Sequence, residues 1–111
     1  MLGKTKLILR VEPQDELYLK STFEKYFTKE TGLLFRKEMN GYQGQRVKVI
    51  STIITHHKQK KPTYSIVCVP INGLKEAQRF PLICIDRSQP LIRNGKRISL
   101  KNKELYIQYL T

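Results

Sequence analysis

Acidic residues are scarce in this chain: nine Asp and Glu stand against twenty-one Lys and Arg in 111 residues, a formal charge of +12. A field of that sign repels basic proteins and gathers polyanions, so the shortage of acid points to an acidic partner. The imbalance is uneven. Residues 1–40 hold eight basic and six acidic residues, a balance of +2, whereas residues 41–111 hold thirteen and three, a balance of +10. Long apolar runs are also missing. Leu7-Ile8-Leu9 is flanked by charges and is too short for the apolar region of a signal peptide, and no run approaches the ~20 residues of a membrane span. The chain is expected to be soluble and cytoplasmic, without a membrane partner. Cysteine is limited to Cys68 and Cys84. Both lie in apolar runs that read as buried strands, where a free thiol behaves as a small apolar residue; a cross-strand disulfide or a redox role is the alternative. The 40% of apolar residues suffice for one core without staples, so residues 1–111 are read as a single domain.

Motifs for catalysis and cofactors are lacking as well. There is no dinucleotide fingerprint and no Gly-Lys-Ser/Thr phosphate loop, and no serine or cysteine sits in a nucleophile motif. Gly41-Tyr42-Gln43-Gly44 has the spacing of the KH-domain clamp loop, but an extended segment follows it where that module needs a helix. Asp86 beside Arg87 reads as a local ion pair and turn starter. His56 and His57 are adjacent, so on a strand they diverge, and no third ligand lies at metal-binding spacing. A non-enzymatic protein with no cofactor and no metal is therefore expected.

The periodicity of what is present suggests an α+β fold: one N-terminal helix packed on a mainly antiparallel sheet or a small curled β-barrel. Residues 4–11 read as a strand. Pro13 and the acids after it suit a helix start, Leu19, Phe23, Tyr26 and Phe27 recur at helical spacing, and Gly32 marks a stop. Tyr18, Thr22, Lys25 and Lys29 line up on the next face of that helix. A short strand at 33–37 and an Asn40-Gly41 turn complete a strand–helix–strand unit over 1–40. From 41 onward the chain reads as β-rich and basic. A long strand contains Val47 and Val49, with a bulge where Ile50 breaks the alternation, and Tyr64–Ile71 is a central strand with Pro70 forcing an edge or bulge. Residues 72–79 form a connection and Phe80–Ile85 a strand. Asn94-Gly95 closes a two-residue hairpin, and Leu105–Leu110 ends the chain as a strand or short helix. Such an architecture would look like an OB-type or SH3-like barrel, both of which host nucleic-acid sites on a strand face.

The basic residues fall into groups that fit a nucleic acid. Pairing of 45–56 with 63–71 makes His57–Pro62 a hairpin tip carrying Lys58, Lys60 and Lys61, with Tyr64 at its base as a stacking platform. Tyr42, Arg46 and Lys48 share one strand parity, an outward basic row ending in an aromatic. The second hairpin adds Arg93, Lys96 and Arg97. Lysine and arginine neutralise a backbone while exposed rings stack on unpaired bases, so single-stranded DNA or RNA is favoured over a duplex, with little sequence preference. A solvated charged face is the plainer account of any one of these residues. Lys58-Gln59-Lys60-Lys61-Pro62 also resembles a short nuclear-import tract. The alternative function is an accessory subunit of a nucleic-acid-processing complex, docking on an acidic protein partner through sheet edges near Pro70 and Tyr106/Tyr109.

Overall fold

The computed structural model describes residues 7–73 and 75–107. It is built from eight strands: β1 (Leu7–Arg10), β2 (Glu16–Tyr18), β3 (Arg46–His57), β4 (Lys60–Pro70), β5 (Gln78–Pro81), β6 (Leu91–Arg93), β7 (Lys96–Ile98) and β8 (Lys103–Tyr106). Six of them form an open antiparallel sheet in the order β5-β4-β3-β2-β6-β7, and β1 pairs with β8 in parallel as a separate two-stranded sheet. The barrel closure expected from the sequence does not occur, because β5 pairs only with β4 and β7 only with β6. Among the described residues no helix is long and apolar enough to cross a membrane.

The expected N-terminal helix is absent, and this overturns the α+β reading. Asp15, Leu17 and Leu19 are buried while Glu16, Tyr18 and Lys20 are less so, a period of two that makes this segment a strand. A turn precedes it. The Asp15 amide donates to the Glu12 carbonyl (3.2 Å), and Gln14 takes φ +78°, which a helix does not admit. Past residue 19 the sequence Ser21-Thr22-Phe23 is poor in helix formers, and only a single 3-10 turn forms at Glu24–Tyr26. Tyr18, Thr22, Lys25 and Lys29 therefore share no helix face. Gly32 does take a left-handed φ of +69°, but it closes a turn in which its amide donates to the Thr28 carbonyl (3.0 Å). The strand expected at 33–37 is irregular, and Lys37–Tyr42 is 3-10 rather than an Asn-Gly turn.

Aromatic packing holds this irregular segment in place of a helix. Phe23 is fully buried with ring centroids 5.1 Å from Phe80 and 6.1 Å from both Phe27 and Phe35, and Phe27 lies 5.5 Å from Phe35. Edge-on and tilted pairs of this kind add roughly 0.5–1.5 kcal/mol each beyond the area they bury. Against them pack Leu17, Val47, Val49, Ile66, Cys68 and Leu91 from the inner face of the large sheet, with Val11, Leu100 and Ile107 from the flanks of the small one.

β3 and β4 pair as anticipated, with two changes of register. Ile50 is the extra residue on β3 between Val49↔Cys68 and Ser51↔Val67. A second irregularity between Thr55↔Thr63 and His57↔Lys60 leaves an extra residue on β4, where Pro62, lacking an N–H, fits the unpaired position. Pro70 pairs with Val47 on one side, while the ladder to β5 stops at Cys68↔Gln78, so among the described residues the Pro70 end of β4 has no β5 partner. Phe80–Ile85 splits into the end of β5 and a 3-10 turn at Leu82–Cys84. Tyr109 lies outside the described residues.

One buried ion pair ties strands together. The Asp15 carboxylate accepts from Arg93 Nε (2.8 Å) and Nη2 (2.7 Å) and from the Glu12 amide (2.8 Å), while Arg93 Nη2 also donates to the Arg10 carbonyl (2.7 Å). Arg93 also lies 3.4 Å from Glu12 Oε2, so it would keep a carboxylate without Asp15, whereas without Arg93 the buried Asp15 carboxylate would keep only the Glu12 amide. Arg93→Ala, which strands the buried Asp15 carboxylate, is expected to destabilise the fold by roughly 3–5 kcal/mol in urea unfolding, far more than loss of the half-exposed Arg10–Glu12 pair would cost.

Cys68 and Cys84 are both buried and free. Burial pushes each thiol up to about 12, with the nearby Cys84 adding to the shift at Cys68. The protonated form is therefore favoured in the fold. Thiol-reactive dyes at pH 8 should label neither cysteine in native protein and both in denaturant. Because the folded values lie above the unfolded ones, this contribution to stability is complete below pH 9 and is lost as pH rises toward 12.

Candidate nucleic-acid interface

The long β3–β4 hairpin and the outer face of the large sheet carry most of the candidate residues. At the hairpin end His57 pairs with Lys60, so the turn is only Lys58-Gln59, with Gln59 at φ +61°. The tip is thus two residues long rather than the six of His57–Pro62, and Lys60 and Lys61 project from the strand itself. Lys58, Lys60 and Lys61 are exposed, and none of the ion pairs among the described residues involves a lysine. His57 Nε2 sits 3.1 Å from Thr63 Oγ1, a bond along the hairpin surface.

The bulge at Ile50 sets which residues share the outer face. Before it, Arg46 and Lys48 point outward; after it, Ser51, Ile53, Thr55 and His57 do, because the extra residue shifts the phase by one. A row of successive partners crosses five strands on that side: Val69, Lys48, Glu16, Ile92 and Arg97. Lys48 and Arg97 are exposed. Arg46, one position along, is bound to Glu16 and half-buried, so it is already neutralised.

Two further candidates are spent on the fold. Tyr42 is 1% exposed, packs on Phe80 at 5.4 Å and donates its hydroxyl to the Glu76 carbonyl, and burial holds its phenol above the usual value. It is a core residue, not the aromatic end of an outward row; the expected strand parity failed because Tyr42 ends a 3-10 turn before β3 begins. Arg93 turns inward to Asp15, whose carboxylate holds it above its ordinary pKa. The Asn94-Gly95 turn forms with φ +52° and +75°, leaving Lys96 and Arg97 exposed on its far strand. Tyr64, 38% exposed, is available at the base of the long hairpin.

Comparison with protein-family models, curated proteins and solved structures finds no match.

One basic residue on this face had no local signal. Arg79, on β5, donates from Nε to Ser65 Oγ and from Nη2 to Thr55 Oγ1, both at 2.8 Å, and forms no ion pair among the described residues. Its partners lie 14 and 24 residues away in sequence, so only the pairing of three strands brings them together. Lys48, Lys60, Arg79 and Arg97 thus share one sheet face, with Lys58 and Lys61 at its hairpin end.

The contrast between spent and available residues is measurable. Tyr42→Phe should cost about 1 kcal/mol of stability through the lost hydrogen bond and leave affinity for any polyanion unchanged. A loss of binding without a loss of stability would return Tyr42 to the interface.

Proposed function

We propose that this protein is a non-enzymatic binder of single-stranded nucleic acid, holding DNA or RNA with little sequence preference. The observation that carries the reading is the set of cations without carboxylate partners on the outer sheet face and the β3–β4 hairpin. Fixed positive charge spread along a sheet suits a flexible polyanion, which follows the surface and releases its counterions on binding. A compact acidic protein would need matching shape as well as charge. Tyr64 favours a single strand over a duplex, since base faces are accessible for stacking only when unpaired.

The test is a fluorescence-anisotropy titration of labelled single-stranded DNA, single-stranded RNA and duplex DNA at two salt concentrations, with the wild type and a Lys58→Ala/Lys60→Ala/Lys61→Ala variant. Each phosphate contact on a single strand contributes about 0.7 to the slope of log affinity against log salt. Loss of three contacts should flatten that slope by about 2. These are exposed side chains, so stability should stay within about 0.5 kcal/mol. An unchanged slope would remove the hairpin from the interface. Absence of binding to all three polymers at low salt would end the proposal and direct attention to an acidic protein partner, as would protein that purifies free of 260 nm absorbance before any high-salt wash.

A further inference from the structure

Two depressions meet at the β4–β5 edge of the large sheet. One is a cleft of about 450 Å³ between the 32–36 segment and the strands, lined by Arg36, Arg79 and Val67 among others. The second is a groove of about 240 Å³ lined mostly by apolar groups, including Tyr64 and Ile83. Leu33 lines both, so they are adjacent. Among the described residues no acid lines either one. The first falls within the size range of small-ligand sites, and it places two arginines beside apolar walls.

Arg79 is not an ordinary solvated arginine. Bonds to Ser65 and Thr55 fix the guanidinium across three strands, which removes most of the side-chain entropy that an anion would otherwise have to freeze. They leave Nη1 without a partner among the described residues. Arg36 likewise forms no ion pair among them. Beyond Leu33 the surface changes character, since Ile83 is 52% exposed and Tyr64 38%, two large apolar groups side by side around a groove. Anion-binding donors next to an aromatic-lined apolar slot match one chemistry well: a phosphate attached to a flat ring.

We infer that this edge is a nucleotide subsite that wraps from one face of the sheet to the other, with one phosphate held by Arg36 and by Arg79 on the outer face and the attached base laid against Tyr64, the partner of the inward Ile54, in the groove beyond Leu33. The inference rests on the single-strand reading above and gives it a location and a polarity of contacts. It also assigns Tyr64 a partner role with Arg79 that the hairpin lysines do not share.

The experiment compares Arg79→Gln, Arg36→Gln and Tyr64→Leu with the wild type and the triple hairpin variant, using labelled oligothymidine at two salt concentrations. Both arginine variants should weaken binding and lower the salt slope by about 0.7 each. Tyr64→Leu should weaken it by about 5- to 100-fold with the slope unchanged. Arg36 is exposed and forms no ion pair among the described residues, so its variant keeps the test valid where Arg79→Gln disturbs folding. Thymidine 5′-monophosphate is expected to displace the oligonucleotide at concentrations where thymidine and inorganic phosphate do not. Equal displacement by inorganic phosphate would overturn the base half of the site. If the hairpin variant weakens binding while Arg36→Gln and Tyr64→Leu stay within twofold of wild type, the subsite is wrong and the single-strand reading stands. If the wild type binds no oligonucleotide, both fall.

Discussion

The contact between Asp15 and Arg93 is the constraint on which the architecture turns. Asp15 belongs to the turn that starts β2, and its backbone exchanges bonds with Val49 on β3, the Val49 amide donating to the Asp15 carbonyl at 2.8 Å and the Gln14 amide to the Val49 carbonyl at 2.7 Å. Arg93 ends β6, and its second bond reaches the carbonyl of Arg10 at the end of β1. One bidentate pair thereby joins β1, β2, β3 and β6. Without it, the ladder between β6 and β2 among the described residues is the single pair Glu16 opposite Ile92. A carboxylate this deeply buried persists because three donors satisfy it, and the arginine fork supplies two of them in a fixed geometry.

The two irregularities in the long hairpin determine what its surface presents. A strand of regular alternation through 46–57 would put Arg46 and Lys48 on the opposite face from Ser51, Thr55 and His57. The extra residue at Ile50 brings them onto one face and leaves Ile50 itself 45% exposed. That exposure is the cost of the phase change, about one poorly buried side chain. Near the tip, the irregularity at 61–62 returns the register so that a two-residue turn can close the strands. The outer face consequently mixes Lys48, Ser51 and Thr55 with the apolar Val69, Val67 and Ile53, while Val47, Val49, Thr52 and Ile54 face the core side.

How much of this was legible depended on the range of the interactions. The Asn94-Gly95 hairpin, the bulge at Ile50 and the burial of both cysteines follow from local pattern, and the structure has all three. The false helix arose because Leu19, Phe23, Tyr26 and Phe27 satisfy a 3.6-residue period by coincidence; Asp15, Leu17 and Leu19 satisfy a period of two in the same window, and sheet pairing decided between them. Reading Asp15 as a helix-end charge hid that competing pattern, since a buried carboxylate is intelligible only once its partner, 78 residues away, is known. Arg93 and Tyr42 were misread for the same reason. Composition indicates a basic surface, but which cations are consumed internally is a tertiary property. The hairpin lysines were identifiable because a turn and its flanks are local; Arg79 was not, because its position is defined by hydroxyls on two other strands.

Arginine and lysine divide their work in this molecule along physical lines. Every ion pair among the described residues uses an arginine, Arg10, Arg46 or Arg93, and each acid involved lies between residues 12 and 16. A planar fork makes directional, partly buried bonds that hold strands in register, whereas an ammonium is a strongly hydrated point charge that loses little by remaining in water. Among the described residues the lysines on the hairpin and outer face therefore form no ion pair and act through a field that ions screen within about 10 Å at 0.1 M salt. Buried pairs are screened much less. It follows that the charges holding the fold and the charges exposed on its surface respond to salt on different scales, so ionic strength can screen the surface field while the sheet that displays it is left intact.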